Sequence, residues 1–179
     1  EGRNQDALKL VDSVRTDAFP QVKRLRLAVQ KGALLIEMGK RGDADAPLRS
    51  VTDEYPSIAE TDAEALALVG RAAHLLRSAK DANQAFTESE KAEKKRVETL
   101  LYRAELFLEK YDPGHAAEVT REALALGPKA PASLVMMARV RLDQSFDFDG
   151  ADALAVQALA VNSRYYPALA IRAGIALRD

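Results

Sequence analysis

The chain has 179 residues, 47% apolar and 30% charged, with aromatics at only 6% and no Trp, a composition that points to helices packed through Ala and Leu rather than to a sheet core. Lys plus Arg total 26 against 27 for Asp plus Glu, and the net charge of −1 supplies no field for a phosphate backbone, which argues against nucleic acid as a generic partner. The absence of Cys removes disulfides, thiolate catalysis and Cys-ligated zinc, and no apolar run approaches the ~20 residues of a membrane span.

Residues 6–16 place Ala7, Leu10, Val11 and Val14 at helical spacing ahead of Pro20, and predict a second-type helix with no first helix before it. The next predicted helix, 22–38, is apolar at Leu25, Ala28, Val29, Leu34, Leu35 and Ile36, with Gly39 as its C-cap. Gly42-Asp43 reads as the turn into a helix over 45–54 that carries Leu48 and Val51, with Pro47 in its first turn and Tyr55-Pro56 at its end. Thr61 or Asp62 can cap a helix over 63–78. From Lys80 to Asp112 there is neither Gly nor Pro, yet the spacing of the later segments requires a turn near 93–97. Helices over 98–110, 115–126, 131–142, 150–161 and 166–178 follow, separated by Asp112-Pro113-Gly114, Gly127-Pro128 and further links.

The last segments repeat one another. Leu100, Ala104 and Leu108 return 34 residues later as Leu134, Ala138 and Leu142, and 35 residues after that as Leu169, Ala173 and Leu177. Ala116 and Ala123-Leu124 return after 35 residues as Ala151 and Ala158-Leu159, so two helices repeat in step. Small residues at Gly32, Gly70, Ala104, Ala138 and Ala173 let a paired helix approach closely, and Ala116 and Ala151 do the same from the other side.

These columns resemble the tetratricopeptide repeat family, whose two helices per ~34 residues match the spacing. The resemblance covers nearly the whole chain and is strongest from Glu98 onward. The family's usual aromatic early in the first helix is replaced by Ala28, Leu66, Leu100, Leu134 and Leu169, and its terminal Pro is kept at Pro56 and Pro128 but is Ser163 in the last repeat. The resemblance implies an all-α, right-handed solenoid of helical hairpins with about nine to ten helices. Its divisions are a half repeat at 1–19, repeats at 20–56, 62–96, 97–130 and 131–165, and a half repeat at 166–179, forming one array. An array that begins and stops inside a repeat is expected to be a fragment of a longer protein. The phrases from Phe107 to Gly114 and from Met137 to Gln144, with Phe146 to Gly150, are also similar to repeats of large bacterial proteins of this family whose later regions can include a zinc-peptidase-like domain. No His-Glu-x-x-His pattern occurs here.

The resemblance implies a protein-interaction scaffold that takes a peptide or protein segment on its concave face. The alternative is a non-catalytic docking or spacer region of a larger bacterial enzyme whose catalytic domain lies elsewhere. Neither reading gives this chain catalysis, a cofactor or a metal. The groove columns read Val29, Ala67, Leu101, Val135, Ala170 and Ala33, Arg71, Glu105, Arg139, Gly174, without the Lys, Asn and Arg clamp that some members use on a chain-terminal carboxylate. Arg71, Glu105 and Arg139 are the candidate peptide-binding residues; the alternative is that they pair with one another across neighbouring helices. Asp143, Asp147, Asp149 and Asp152 fit turn formation and helix capping better than a calcium loop, because the closing Glu is missing. Arg41-Gly42-Asp43 reads as a link, residues 88–96 as a solvated charged stretch, and His74 as a hydrogen-bonded packing residue. The aromatic pairs Phe146/Phe148 and Tyr165/Tyr166 either cap a neighbouring core or form an edge hot spot. Leu169, Ile171, Ala173, Ile175 and Leu177 form an apolar face on the last helix, which predicts self-association through that end.

Overall fold

The helices of this chain are set by where small residues allow close approach and by how each first helix stops. The computed structural model describes residues 3–178. Glu1, Gly2 and Asp179, the outermost residues of the two predicted half repeats, lie outside the described residues. The chain is all-α, built from helical hairpins in the manner of a solenoid, and among the described residues it has ten α-helices and no strand. It divides into two compact units, Glu1–Lys94 and Lys95–Asp179.

The first unit holds α1 (Asn4–Ser13), α2 (Gln21–Glu37), α3 (Arg41–Asp53), a 3₁₀ turn (Tyr55–Ser57), α4 (Ala63–Leu75) and α5 (Ala79–Ala92). Helix α2 pairs with α3 and α4 with α5, while α4 packs back on both α2 and α3. The core combines Leu25, Val29 and Leu35 of α2, Leu48 and Val51 of α3, and Leu68 and Val69 of α4. Gly32 and Gly70 sit where the hairpin partners cross. A Cβ at Gly32 would overlap the Leu48 side chain, and one at Gly70 would lie 2.5 Å from the Phe86 ring. Phe86, fully buried, therefore fills a space that only a residue without Cβ leaves open. Ser89 is also buried, and its hydroxyl donates to the Ala63 carbonyl at 2.7 Å, tying α5 to the start of α4.

The second unit holds α6 (Val97–Glu109), α7 (Pro113–Leu126), α8 (Pro131–Ser145), α9 (Phe148–Val161) and α10 (Tyr166–Ala176). Its hairpins are α6 with α7 and α8 with α9, and α10 packs on α9 and α8. Here alanines take the place of glycine: Ala104, Ala116, Ala138, Ala151, Ala155 and Ala158 are all fully buried. Ala173, in the same column, is exposed. Asp112 and Asp147 cap α7 and α9, their side chains accepting from the N–H groups of His115 and Gly150 at 3.2 and 2.9 Å. Asp62 does the same for α4, accepting from Ala65 N–H at 3.0 Å, as its position before the apolar run predicts.

Each first helix from α2 to α8 ends in the same way. Gly39, Arg77, Tyr111 and Phe146 have φ of 74°, 67°, 58° and 52°, at spacings of 38, 34 and 35 residues. In the first three, the following N–H reaches back to a carbonyl of the last turn, as Lys40 does to Leu35 at 2.8 Å, Ser78 to Ala73 at 2.9 Å and Asp112 to Phe107 at 2.9 Å. The chain accepts left-handed backbone at three non-glycine residues because the tight reversal brings α3, α5, α7 and α9 onto their partners.

Several boundaries differ from the sequence reading. Helix α3 starts at Arg41, so Arg41-Gly42-Asp43 is its first turn rather than a link, and the reversal is made by Gly39-Lys40 alone. Arg41 Nη1 donates to the Leu75 carbonyl at 3.0 Å, which anchors this earlier start. Pro47 consequently lies inside α3, where it withholds one helical N–H from the Asp43 carbonyl. Helix α1 begins at Asn4 and uses Leu8 against the core, leaving Ala7 and Leu10 exposed. Helix α4 ends at Leu75 instead of Ser78 because the left-handed Arg77 turns the chain. The break between α5 and α6 falls at 93–96, as the repeat spacing requires, with Glu93 and Arg96 extended. No helix among the described residues is long and apolar enough to cross a membrane.

Two glycines inside helices, Gly70 at a helix crossing and Gly174 at an open face, should respond in opposite directions. Gly70→Ala is expected to lower the unfolding free energy by about 1–3 kcal/mol, the cost of overpacking a filled core. A Cβ at Gly174, inside α10, meets nothing within 4 Å, so Gly174→Ala is expected to raise it by about 0.5–1 kcal/mol through helix propensity. Paired denaturant melts measure both.

Candidate functional site

Within the second unit, α8 and α10 form the two walls of an open groove of about 700 Å³. One wall comprises Val135, Arg139, Leu142, Asp143 and Phe146; the other comprises Tyr166, Pro167, Ala170, Ile171, Gly174 and Ile175. Residues at i, i+3, i+4 and i+7 share one face of a helix, which is why these positions come together. Phe148, at the start of α9, joins them at the end of α8. The Arg178 guanidinium lies 3.9 Å from the Phe148 ring centroid, so the C-terminal end of α10 meets the C-terminal end of α8 and the two walls run in the same direction.

The lining is mostly apolar, with two charges. Arg139 is half-buried and Asp143 exposed, and among the described residues neither makes a hydrogen bond or an ion pair. Phe146 is 74% exposed in left-handed backbone, and Tyr166 is 68% exposed. Gly174 interrupts its wall with a notch that no intramolecular neighbour fills.

The predicted site residues are distributed over both units. Arg71, on α4 of the first unit, is half-buried, and its Nη1 lies 3.2 Å from Nδ1 of His74. His74 is itself buried, the packing role its place beside Leu75 predicts. Glu105 lies on α6 and Arg139 on α8 of the second unit, and they form no ion pair with each other. Of the groove columns, Val135, Arg139, Ala170 and Gly174 share the α8–α10 groove, whereas Val29 is buried in the core of the first unit. The groove columns do not include Leu142, Asp143 and Ile175, because Leu142 recurs as a packing position of the repeat, Asp143 reads as a turn or capping acid, and Ile175 reads as part of the apolar face of the last helix. Of the aromatic pairs, Phe146 and Phe148 both line the groove, whereas the tyrosines separate: Tyr165 turns into the core, where burial raises its phenol pKa, while Tyr166 faces the groove. Ile171 and Ile175 are half-buried groove residues rather than part of a wholly exposed face; Leu169, Ala173 and Leu177 remain exposed.

Other polar groupings serve the fold. His115 Nδ1 lies 2.6 Å from Asp112 Oδ2, and the backbone and side-chain hydrogen bonds from His115 hold the Asp112 carboxyl below the ordinary range. The pair caps α7, and the His115 ring stacks on Phe107 at 5.4 Å. Tyr55 donates to Glu88 at 2.6 Å and accepts from Gln84 at 3.2 Å, linking the 3₁₀ turn to α5; the Glu88 bond, ahead of burial, raises the Tyr55 pKa.

No family model matches the sequence, and no curated protein matches it. Solved structures do match the fold. A thermophilic TPR protein from Thermus thermophilus is 17% identical with a TM-score of 0.70, covering 98% of this chain and 92% of its own. A tetratricopeptide repeat protein from Parabacteroides merdae is 17% identical with a TM-score of 0.57, covering 86% and 59%. The first TPR of Spaghetti (RPAP3), bound to the HSP90 peptide SRMEEVD, is 14% identical with a TM-score of 0.60, covering 68% and 95%. With the repeated hairpins and their common left-handed stops, these similarities show that the chain has the fold of the tetratricopeptide repeat proteins.

Proposed function

We propose that this chain is a protein-interaction scaffold and that the groove between α8 and α10 takes a segment of another protein. The observation that carries the reading is that this groove combines exposed aromatics with a half-buried guanidinium that has no partner among the described residues. A half-buried cation gains most from a ligand that brings the missing anion, and Tyr and Arg are enriched among the residues that dominate interface energies once a partner covers them. The peptide-bound Spaghetti domain supports the reading, since it carries a peptide on the same fold. Arg71 and Glu105 are proposed as further polar contacts, from their place in the same column of the first helices.

Two measurements test this. Peptides selected from a display library on the intact chain should lose binding when Gly174→Trp fills the groove, and the combined variant Arg71→Ala, Glu105→Ala, Arg139→Ala should bind at least about tenfold more weakly, the scale of one charge-assisted hydrogen bond. Equal binding by all three proteins rejects the groove.

The chain is also proposed to associate with itself through the α10 surface outside the groove, where Leu169 is 45% and Leu177 88% exposed. Light scattering over a concentration series should give a mass above 19.5 kDa that Leu177→Glu lowers. A constant 19.5 kDa particle rejects self-association.

A further inference from the structure

We infer that the occupant of the α8–α10 groove is an amphipathic α-helix carrying an acidic side chain opposite Arg139 and a basic one opposite Asp143, laid across Gly174. The inference rests on the proposed groove binding and names the partner's chemistry.

Three observations carry it. The walls are helices, whose N–H and C=O groups are bonded within α8 and α10, so the groove offers side chains but no row of main-chain donors and acceptors. An extended segment pressed against Val135, Leu142, Ile171 and Ile175 would hold its own backbone polar groups against apolar atoms, whereas a helix satisfies them internally. The second observation is electrostatic. Arg139 and Asp143 are both without partners among the described residues and four residues apart on α8, about 6 Å along its axis. A partner that covered them with apolar groups would strip water from two charges without compensation. A helix lying along α8 meets both with an acid and a base three or four residues apart, and their order sets its direction: acid first if parallel to α8, base first if antiparallel.

The third observation is Gly174. A glycine inside a helix weakens it, and no neighbour within 4 Å of a Cβ requires one here. Its effect is to lower the groove wall, so that a large side chain of a seated helix can rest against α10 as the Phe86 ring of α5 rests against α4 at Gly70. Phe146 and Tyr166 then flank the seated helix as apolar anchors.

The test uses the intact chain and a random display library of peptides of about 16 residues, roughly four helical turns, so that no conformation is imposed. Selected peptides should converge on an acid and a base three or four residues apart within an apolar repeat of helical period, and should gain helical circular dichroism on binding. Arg139→Glu should weaken them about tenfold, and a peptide with its acid changed to Lys should recover binding to that variant, which also shows that the variant is folded. Peptides that are lost on Gly174→Trp but bind Arg139→Glu unchanged, or that bind without gaining helix, overturn the inference and leave groove binding standing. Peptides indifferent to Gly174→Trp overturn both.

Discussion

The structure depends on how closely two helices of a hairpin can approach. At Gly32 and Gly70 the separation is set by the absence of a Cβ, and Leu48 and Phe86 fill the space thus released. In the second unit Ala104 and Ala138 on the first helices and Ala116, Ala151 and Ala155 on their hairpin partners are all small and fully buried, so both helices share the approach. The two solutions differ in kind. A glycine against a large side chain gives a fixed interlock, while alanine against alanine gives a smooth seam whose stability comes from dispersion over many atoms.

Close approach in turn requires an abrupt reversal. The left-handed residue ending each first helix from α2 to α8 supplies it, and only Gly39 does so without steric cost. Arg77, Tyr111 and Phe146 accept that cost, and two of them expose large aromatic rings. At Phe146 the ring is directed to the rim of the α8–α10 groove, so one conformational device both closes a hairpin and furnishes a binding surface. At Tyr111, 95% exposed, no described neighbour covers the ring.

The groove is a consequence of packing rather than a separate feature. Because α9 packs on both α8 and α10, those two helices show their other faces together, and their side chains, with Phe148 from the start of α9, define what a ligand would meet. Its charges are placed by helical geometry alone, one turn apart on a single element. This makes the surface rigid compared with one built on loops, and favours recognition by shape and a small number of charges.

The repeat was legible in the residues because a small residue at a helix crossing must recur wherever the crossing recurs; hence the columns at Gly32, Gly70, Ala104 and Ala138 could be read directly, and their spacing required the break that falls at 93–96 although no Gly or Pro marks it. The same columns placed Val135, Arg139, Ala170 and Gly174 on corresponding faces. What the linear order could not decide was which members of a column are covered. Val29 and Gly174 were both assigned to groove columns, yet one is buried among α2, α3 and α4 and the other is open. The early start of α3 was hidden because Gly42 and Pro47 speak locally against helix, and the Arg41 bond to the Leu75 carbonyl comes from a residue 34 positions away. Propensity and periodicity act over a few residues and so determined the helices and their repeat; burial and the pairing of charges depend on neighbours distant in the chain, and only the tertiary structure decided them.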